Sequence, residues 1–308
     1  PAKGTDQLAQ KLNISQDTYG FLLERHLKVY PSESSVNGIF LAGAIQGPKD
    51  IPSSIAQAES AAAKSIALIS REEVELDPHI VSYIEERCDL CRLCENICIY
   101  NAIDIHDGKL EFKPANCSGC GACAAMCPND ALYIPGFTKS QISAQIDTVL
   151  EEKSEFPLII SFLCNWCSYA GADLAGTSKI NYPTNIRPIR VMCTAMLDPY
   201  LVFESFSQGA DGVLISGCYE QDCHYDQGFK KAKTRYRSIL EILTEMGINP
   251  ERVRIESVSA GEGEKFAKVV KEFTEKIKSL GPIKPFEYKR ETVSEEKIPK
   301  EEVRIDEI

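Results

Sequence analysis

Cys88, Cys91, Cys94 and Cys98 stand in the spacing C-x2-C-x2-C-x3-C, and Cys117, Cys120, Cys123 and Cys127 repeat it, closed by Pro128. No other feature narrows the fold so far, because thiols packed this densely must converge on metal. Three thiolates in one tight loop can reach three irons of a cubane. The fourth lies too far along the following turn and crosses to a second centre.

The spacing therefore predicts a two-cluster ferredoxin module. Cys88, Cys91, Cys94 and Cys127 are expected to hold one [4Fe–4S] cluster, and Cys98, Cys117, Cys120 and Cys123 the other. Gly119 and Gly121 let the backbone wrap closely and point N–H groups at sulfide. Ile99 stands where Pro128 stands in the second motif; since proline is not a ligand, the pattern survives the exchange. Paired zinc knuckles compete poorly, because each zinc wants four ligands in its own closed site.

The chain has 308 residues and thirteen cysteines, an odd number that argues against a secreted disulfide scaffold and for thiolates serving metal in the cytoplasm. A formal charge of −11 makes nucleic acid and anionic membranes poor partners. No apolar run approaches the roughly 18 residues of a membrane span. The opening PAKGTDQLAQ has neither a basic region nor an apolar core, so it does not read as a signal peptide. Without an initiator Met, the sequence reads as a processed product or a piece of something longer.

Four segments are expected, making an α/β and α+β multidomain protein. Residues 1–70 read as a strand over Gly38–Gly43, a Gly/Pro turn, and an Ala-rich helix from about Ser53 to Leu68. Residues 71–150 hold the eight cysteines and a helix near Gln141–Glu151. Residues 151–285 alternate strand and helix. The runs Pro157–Leu163, Ile189–Met192, Gly212–Ser216 and Val253–Val258 read as strands of a parallel sheet. Helices are expected over Tyr200–Gln208, Gly228–Met246 and Gly263–Leu280. Residues 286–308 are charged, poor in apolar residues, and read as a solvated tail.

Five cysteines remain: Cys164, Cys167, Cys193, Cys218 and Cys223. Three of them close or follow successive predicted strands. In a parallel α/β sheet, ligands gather beyond the carboxyl ends of the strands. The C-x4-C of Cys218 and Cys223 fits [2Fe–2S] ligation, two thiolates to one iron. Cys164 and Cys167 can clasp the other iron, which leaves Cys193 as the spare. Zinc, a thiol–disulfide site on the C-x-x-C of CNWC, and plain buried cysteines remain open alternatives. His224 reads either as a further ligand or as a residue that orients its loop or meets solvent. Trp166 reads either as a shield over the site or as ordinary packing.

The stretch NGIFLAGAIQGPKDIPSSIAQAESAAA resembles the flavin-domain end of HdrA, the flavoprotein subunit of heterodisulfide reductase. The eight-cysteine segment is similar to the ferredoxin module that follows it in that family. FLCNWCSYAGADLAG, VMCT and ISGCYEQDCHY resemble MvhD, the iron–sulfur subunit that links a hydrogenase to heterodisulfide reductase. The two would be fused here. The resemblance implies that residues 1–70 are the C-terminal remnant of a thioredoxin-reductase-like FAD domain. Its flavin-end motif falls on Gly43, Ala44, Gln46 and Lys49. Taken without the resemblance, these residues read as a strand–turn–helix with Lys49 in solvent.

The function implied by the resemblance is electron transfer. The donor would be a hydrogenase, a formate dehydrogenase or a deazaflavin-dependent enzyme. A bifurcating FAD would direct electrons to ferredoxin and to a heterodisulfide such as CoM-S-S-CoB, with HdrB- and HdrC-like subunits as partners. The chain has no G-x-G-x-x-G, and residues 1–70 are too few to enclose a flavin. The rest of the flavin domain would therefore come from upstream or partner sequence. Two other readings compete: a non-catalytic iron–sulfur docking adaptor, and a thiol–disulfide oxidoreductase using Cys164 and Cys167.

Overall fold

The computed structural model describes residues 1–284 except 13, 15, 18, 27–29, 35, 37, 72, 74–77 and 152–155, and the expected tail 286–308 lies outside the described residues. Helix α1 (Thr5–Leu12) precedes a short antiparallel pair, β1 (Glu24–His26) and β2 (Tyr30–Ser34). The expected strand over Gly38–Gly43 does not form. Phe40 makes a single bridge to Glu33, and the chain turns at once into a 3-10 turn at Gly43–Gln46.

Helix α2 (Ile51–Ile69) starts where Asp50 accepts a hydrogen bond from the Ser53 amide at 2.8 Å, with proline in the first turn. Its inward side is polar. Ser60 Oγ meets Ser32 Oγ at 2.8 Å, and Gln57 Oε1 accepts from the Gly43 amide at 2.8 Å. Ile51, Ile55, Ile66 and Ile69 are exposed. At 100° per residue they fall on one stripe. Ala9, Ile14, Leu22 and Leu41 form a small core of this segment.

The eight-cysteine region carries an internal two-fold. Strand β3 (Ser82–Tyr83) opens it, followed by α3 (Leu93–Ile97), the hairpin β4 (Ile103–His106) and β5 (Lys109–Phe112), and finally β6 (Leu132–Tyr133), which pairs antiparallel with β3. Backbone at equivalent places in the two motifs turns left-handed: Leu90 and Gly119, Arg92 and Gly121, Asn101 and Asp130 all have φ between 49° and 72°. These turns fold each C-x2-C-x2-C into a cup.

Helix α4 (Lys139–Glu151), expected with the ferredoxin segment, packs instead on the following layer; its Ile142, Ile146 and Leu150 share a core with Ile160, Phe162 and Phe206. That layer is a four-stranded parallel sheet. In chain order it comprises β7 (Ile159–Cys164), α5 (Ser168–Thr177), β8 (Ile186–Val191), α6 (Pro199–Ser207), β9 (Gly212–Gly217), α7 (Gly228–Glu245), β10 (Val253–Ser257) and α8 (Gly263–Leu280). The strand order is β10-β9-β7-β8. Alternate residues of β7 face opposite cores: Ile159 and Leu163 toward α8, Ile160 and Phe162 toward α4 and α6. Strand β8 starts at Ile186, ahead of the expected Ile189, because an edge strand tolerates Pro188. Helix α5 is an addition to the elements expected from sequence; its small residues fit it closely beneath α8.

Candidate metal centres

The first four expected ligands, Cys88, Cys91, Cys94 and Cys127, line one recess with about 340 Å³ of open space, alongside Tyr83, Leu93 and Leu132. Cys98, Cys117, Cys120 and Cys123 line a second of about 270 Å³ with Val81, Phe112 and Gly119. The crossing of the fourth cysteine thus follows from the internal two-fold. The Ala131 amide donates to Cys127 Sγ at 3.2 Å. Burial pushes the Cys94 and Cys120 thiols each up to about 11. Holding four thiolates close together needs a compensating cation, and the donor set and apolar walls fit a cubane.

The other five cysteines come together at the carboxyl edge of the parallel sheet. Cys164 ends β7, Cys218 directly follows β9, and Cys193 lies two residues beyond β8. These strands are neighbours, with β7 in the middle. The chain leaves β7 for β8 on one side and later returns to β9 on the other. The site is therefore the topological switch point of the sheet. Cys167 begins α5, and Cys223 closes the turn Glu220–Asp222.

Sulfur meets sulfur across this edge. Cys164 Sγ lies 3.7 Å from Cys218 Sγ. Cys218 also contacts Cys167 and Cys223, while Cys193 contacts Cys223. Hydrogen bonds from Cys193 and Cys218, helped by the Phe229 amide, hold the Cys223 thiol down. The contact with Cys223, and then burial, pushes Cys193 up. Cys164, Cys193 and Cys218 are at most 2% exposed, which is poor access for a dithiol that must meet a disulfide substrate. The same dry thiol set suits a [2Fe–2S] centre.

Two features of this site carry no cysteine signal. Gly228 lies so close that a Cβ there would collide with Cys193 Sγ and stand 3.3 Å from Cys223 Sγ. Tyr225 is buried and accepts the Trp166 indole N–H at 2.8 Å. His224 stacks on Trp166, with ring centroids 3.9 Å apart.

The flavin-end residues lie within residues 1–70. Gly43 and Gln46 bound the turn before α2. The Gln46 side chain donates to Glu24 Oε2 at 3.0 Å and to the Pro31 carbonyl at 3.1 Å, and accepts from Gln57. Ala44 and Lys49 are exposed.

Thiol-lined recesses beside a switch-point thiol cluster define an iron–sulfur protein of the electron-transfer class. Residues 87–131 match the 4Fe-4S dicluster domain, and residues 159–281 match the methyl-viologen-reducing hydrogenase delta subunit. The chain is 42% identical over 283 residues to the HdrA-type subunit of the ferredoxin:CoB-CoM heterodisulfide reductase of Methanosarcina mazei, covering 92% of this chain and 36% of that protein. It is 45% identical over 128 residues to the iron-sulfur subunit of the F420-non-reducing hydrogenase of Archaeoglobus profundus, covering 42% of this chain and 93% of that protein. The vhc iron-sulfur subunit of the F420-non-reducing hydrogenase of Methanococcus voltae is 48% identical over 126 residues, which is 41% of this chain and 88% of that protein. The chain belongs to the family in which the C-terminal region of HdrA is fused to the MvhD-type hydrogenase iron–sulfur subunit. It spans about a third of the length of its HdrA-type relatives, 36% in each of two. Among the described residues no helix is long and apolar enough to cross a membrane.

Proposed function

We propose that this chain is the electron-relay portion of a heterodisulfide reductase complex and works in the cytoplasm. Its five-thiol site exchanges electrons with a hydrogenase, formate dehydrogenase or deazaflavin-dependent donor, and its residues 1–70 complete a bifurcating FAD domain. In such a complex the electrons serve ferredoxin and a heterodisulfide such as CoM-S-S-CoB, with HdrB- and HdrC-like subunits performing the disulfide chemistry. Iron–sulfur clusters, when bound, supply one-electron storage and transfer.

The observation that carries this reading is the convergence of five buried or half-buried thiols on one sheet edge, next to two further four-thiol recesses. Cys88, Cys91, Cys94 and Cys127 would hold one cubane, and Cys98, Cys117, Cys120 and Cys123 the other. Cys164, Cys167, Cys218 and Cys223 would hold the [2Fe–2S] centre, with Cys193 beside it. Cys164, Cys193 and Cys218 of the third site are almost fully buried, and Trp166 packs against it. Gly43, Ala44, Gln46 and Lys49 would meet the flavin from the turn before α2, where the Lys49 charge favours its reduced form.

Iron and sulfide analysis of anaerobically purified chain, with EPR of the reduced state, tests the reading. About ten irons and ten sulfides per chain are expected from two cubanes and one [2Fe–2S] centre. About eight of each, with stoichiometric zinc, would remove the third centre.

A further inference from the structure

Helix α7 presents two cations to the ferredoxin module. Lys231 and Arg235 are four residues apart and so share one face. Lys231 Nζ donates to the Ile97 carbonyl at 2.5 Å, immediately before Cys98. Arg235 donates to the Ala122 carbonyl at 3.2 Å, between Cys120 and Cys123. The same guanidinium also donates to the carbonyls of Ala195 and Leu197, just beyond Cys193. One side chain thus ties the loop of the second recess to the loop of the five-thiol site.

The two loops are also in apolar contact. Ala122, Cys120 and Ile97 share one cluster with Cys164, Cys193, Ala195, Cys218 and Cys223. At Gly121 an added Cβ would stand 2.6 Å from Met196 Cβ, so the backbones approach as closely as a glycine permits.

Resting on the relay reading above, we propose that Lys231 and Arg235 are positioning residues for electron passage between the five-thiol site and the second four-thiol recess. Tunnelling falls steeply with separation, and a three-carbonyl clasp by one planar fork fixes that separation. Each one-electron reduction adds negative charge to a dry site, and two cations placed against it favour the reduced form. Nothing in the cysteine spacing requires either residue.

The full chain, purified anaerobically with its clusters, is titrated by EPR-monitored potentiometry. The variants are Lys231→Gln, Arg235→Gln and Arg235→Lys, and the cubane of Cys88, Cys91, Cys94 and Cys127 serves as internal control. Lys231→Gln keeps a donor for Ile97 but loses the charge. It should lower the midpoint of the second cubane and leave the control unmoved. Arg235→Gln should lower the midpoints on both sides and weaken the spin–spin broadening between them. Arg235→Lys should recover the midpoints but not the broadening, since a compact ammonium lacks the planar fork that spans the carbonyls of both loops. Midpoints and broadening unchanged in Lys231→Gln and Arg235→Gln overturn the assignment. Should Arg235→Gln shed iron, Lys231→Gln decides alone, and an unmoved midpoint overturns it. A wild-type chain with no [2Fe–2S] signal overturns the relay reading and this inference with it. Variants indistinguishable from a fully loaded wild type overturn only the inference.

Discussion

Trp166 lies flat on His224, with ring centroids 3.9 Å apart and an interplanar angle of 20°. The indole also packs on the cluster of Cys164, Cys193, Cys218 and Cys223. Trp166 is the chain's single tryptophan, so its emission reports on this site and the second recess packed beside it. Emission should be strongly quenched in the anaerobic holoprotein and should rise when a chelator strips the iron. Equal emission before and after stripping would place no cluster near Trp166.

Five thiols converge where the proposed [2Fe–2S] centre would take four. Cys218 touches Cys164, Cys167 and Cys223, whereas the sulfur hydrogen bond of Cys193 is to Cys223. Cys193→Ala is therefore expected to keep the [2Fe–2S] EPR signal, with at most a shift in potential, and Cys167→Ala to lose or distort it. The reverse outcome would make Cys164, Cys193, Cys218 and Cys223 the ligands, and the C-x-x-C spacing would have misdirected the assignment.

Gly228→Ala tests the tightness of the same site. Alanine is a better helix former than glycine, so a gain in stability would be expected from the helix alone. The new methyl instead meets Cys193 Sγ. Overpacking of this kind costs about 1–3 kcal/mol. The thermal midpoint should fall and the [2Fe–2S] signal should diminish, while both cubane signals persist. An unchanged midpoint with a full [2Fe–2S] signal would show that the loop yields.

At the flavin end, the Gln46 side chain is committed to its own segment, bonding Glu24, Pro31 and Gln57. The 308-residue chain produced alone should therefore yield no tightly bound FAD, and flavin should appear only when a dinucleotide-binding polypeptide co-purifies. Fluorescence of the acid extract measures this. Stoichiometric FAD from the isolated chain would contradict the account of residues 1–70.

Convergence of Cys164, Cys193 and Cys218 is legible in the sequence because each closes or follows an apolar strand, and parallel strands deliver their ends to one edge. The grouping of the eight ferredoxin cysteines into two recesses is legible from spacing, since the distance along the backbone decides which thiol must cross. Gly38–Gly43 misleads: its apolar residues suggest a strand, yet only Phe40 finds a ladder partner, in Glu33. Helix α5 gives little signal because SYAGADLAGT is small and weakly periodic. Lys231 and Arg235 leave no trace, because they bind backbone carbonyls up to 134 residues away, and a carbonyl has no residue identity to match.

The left-handed turns of the two cysteine cups look interchangeable, but they are not. Arg92 occupies one at φ 62° and donates to the Ile105 carbonyl at 2.6 Å, so the strain of a non-glycine residue there is set against a charged hydrogen bond. Its counterpart Gly121 has no such freedom, because Met196 fills the space a side chain would need. The two cups therefore differ in tolerance. The one at Arg92 has room for a long side chain, whereas the one at Gly121 is confined to glycine by its neighbour, so docking against the sheet domain reads out as a single missing methyl group.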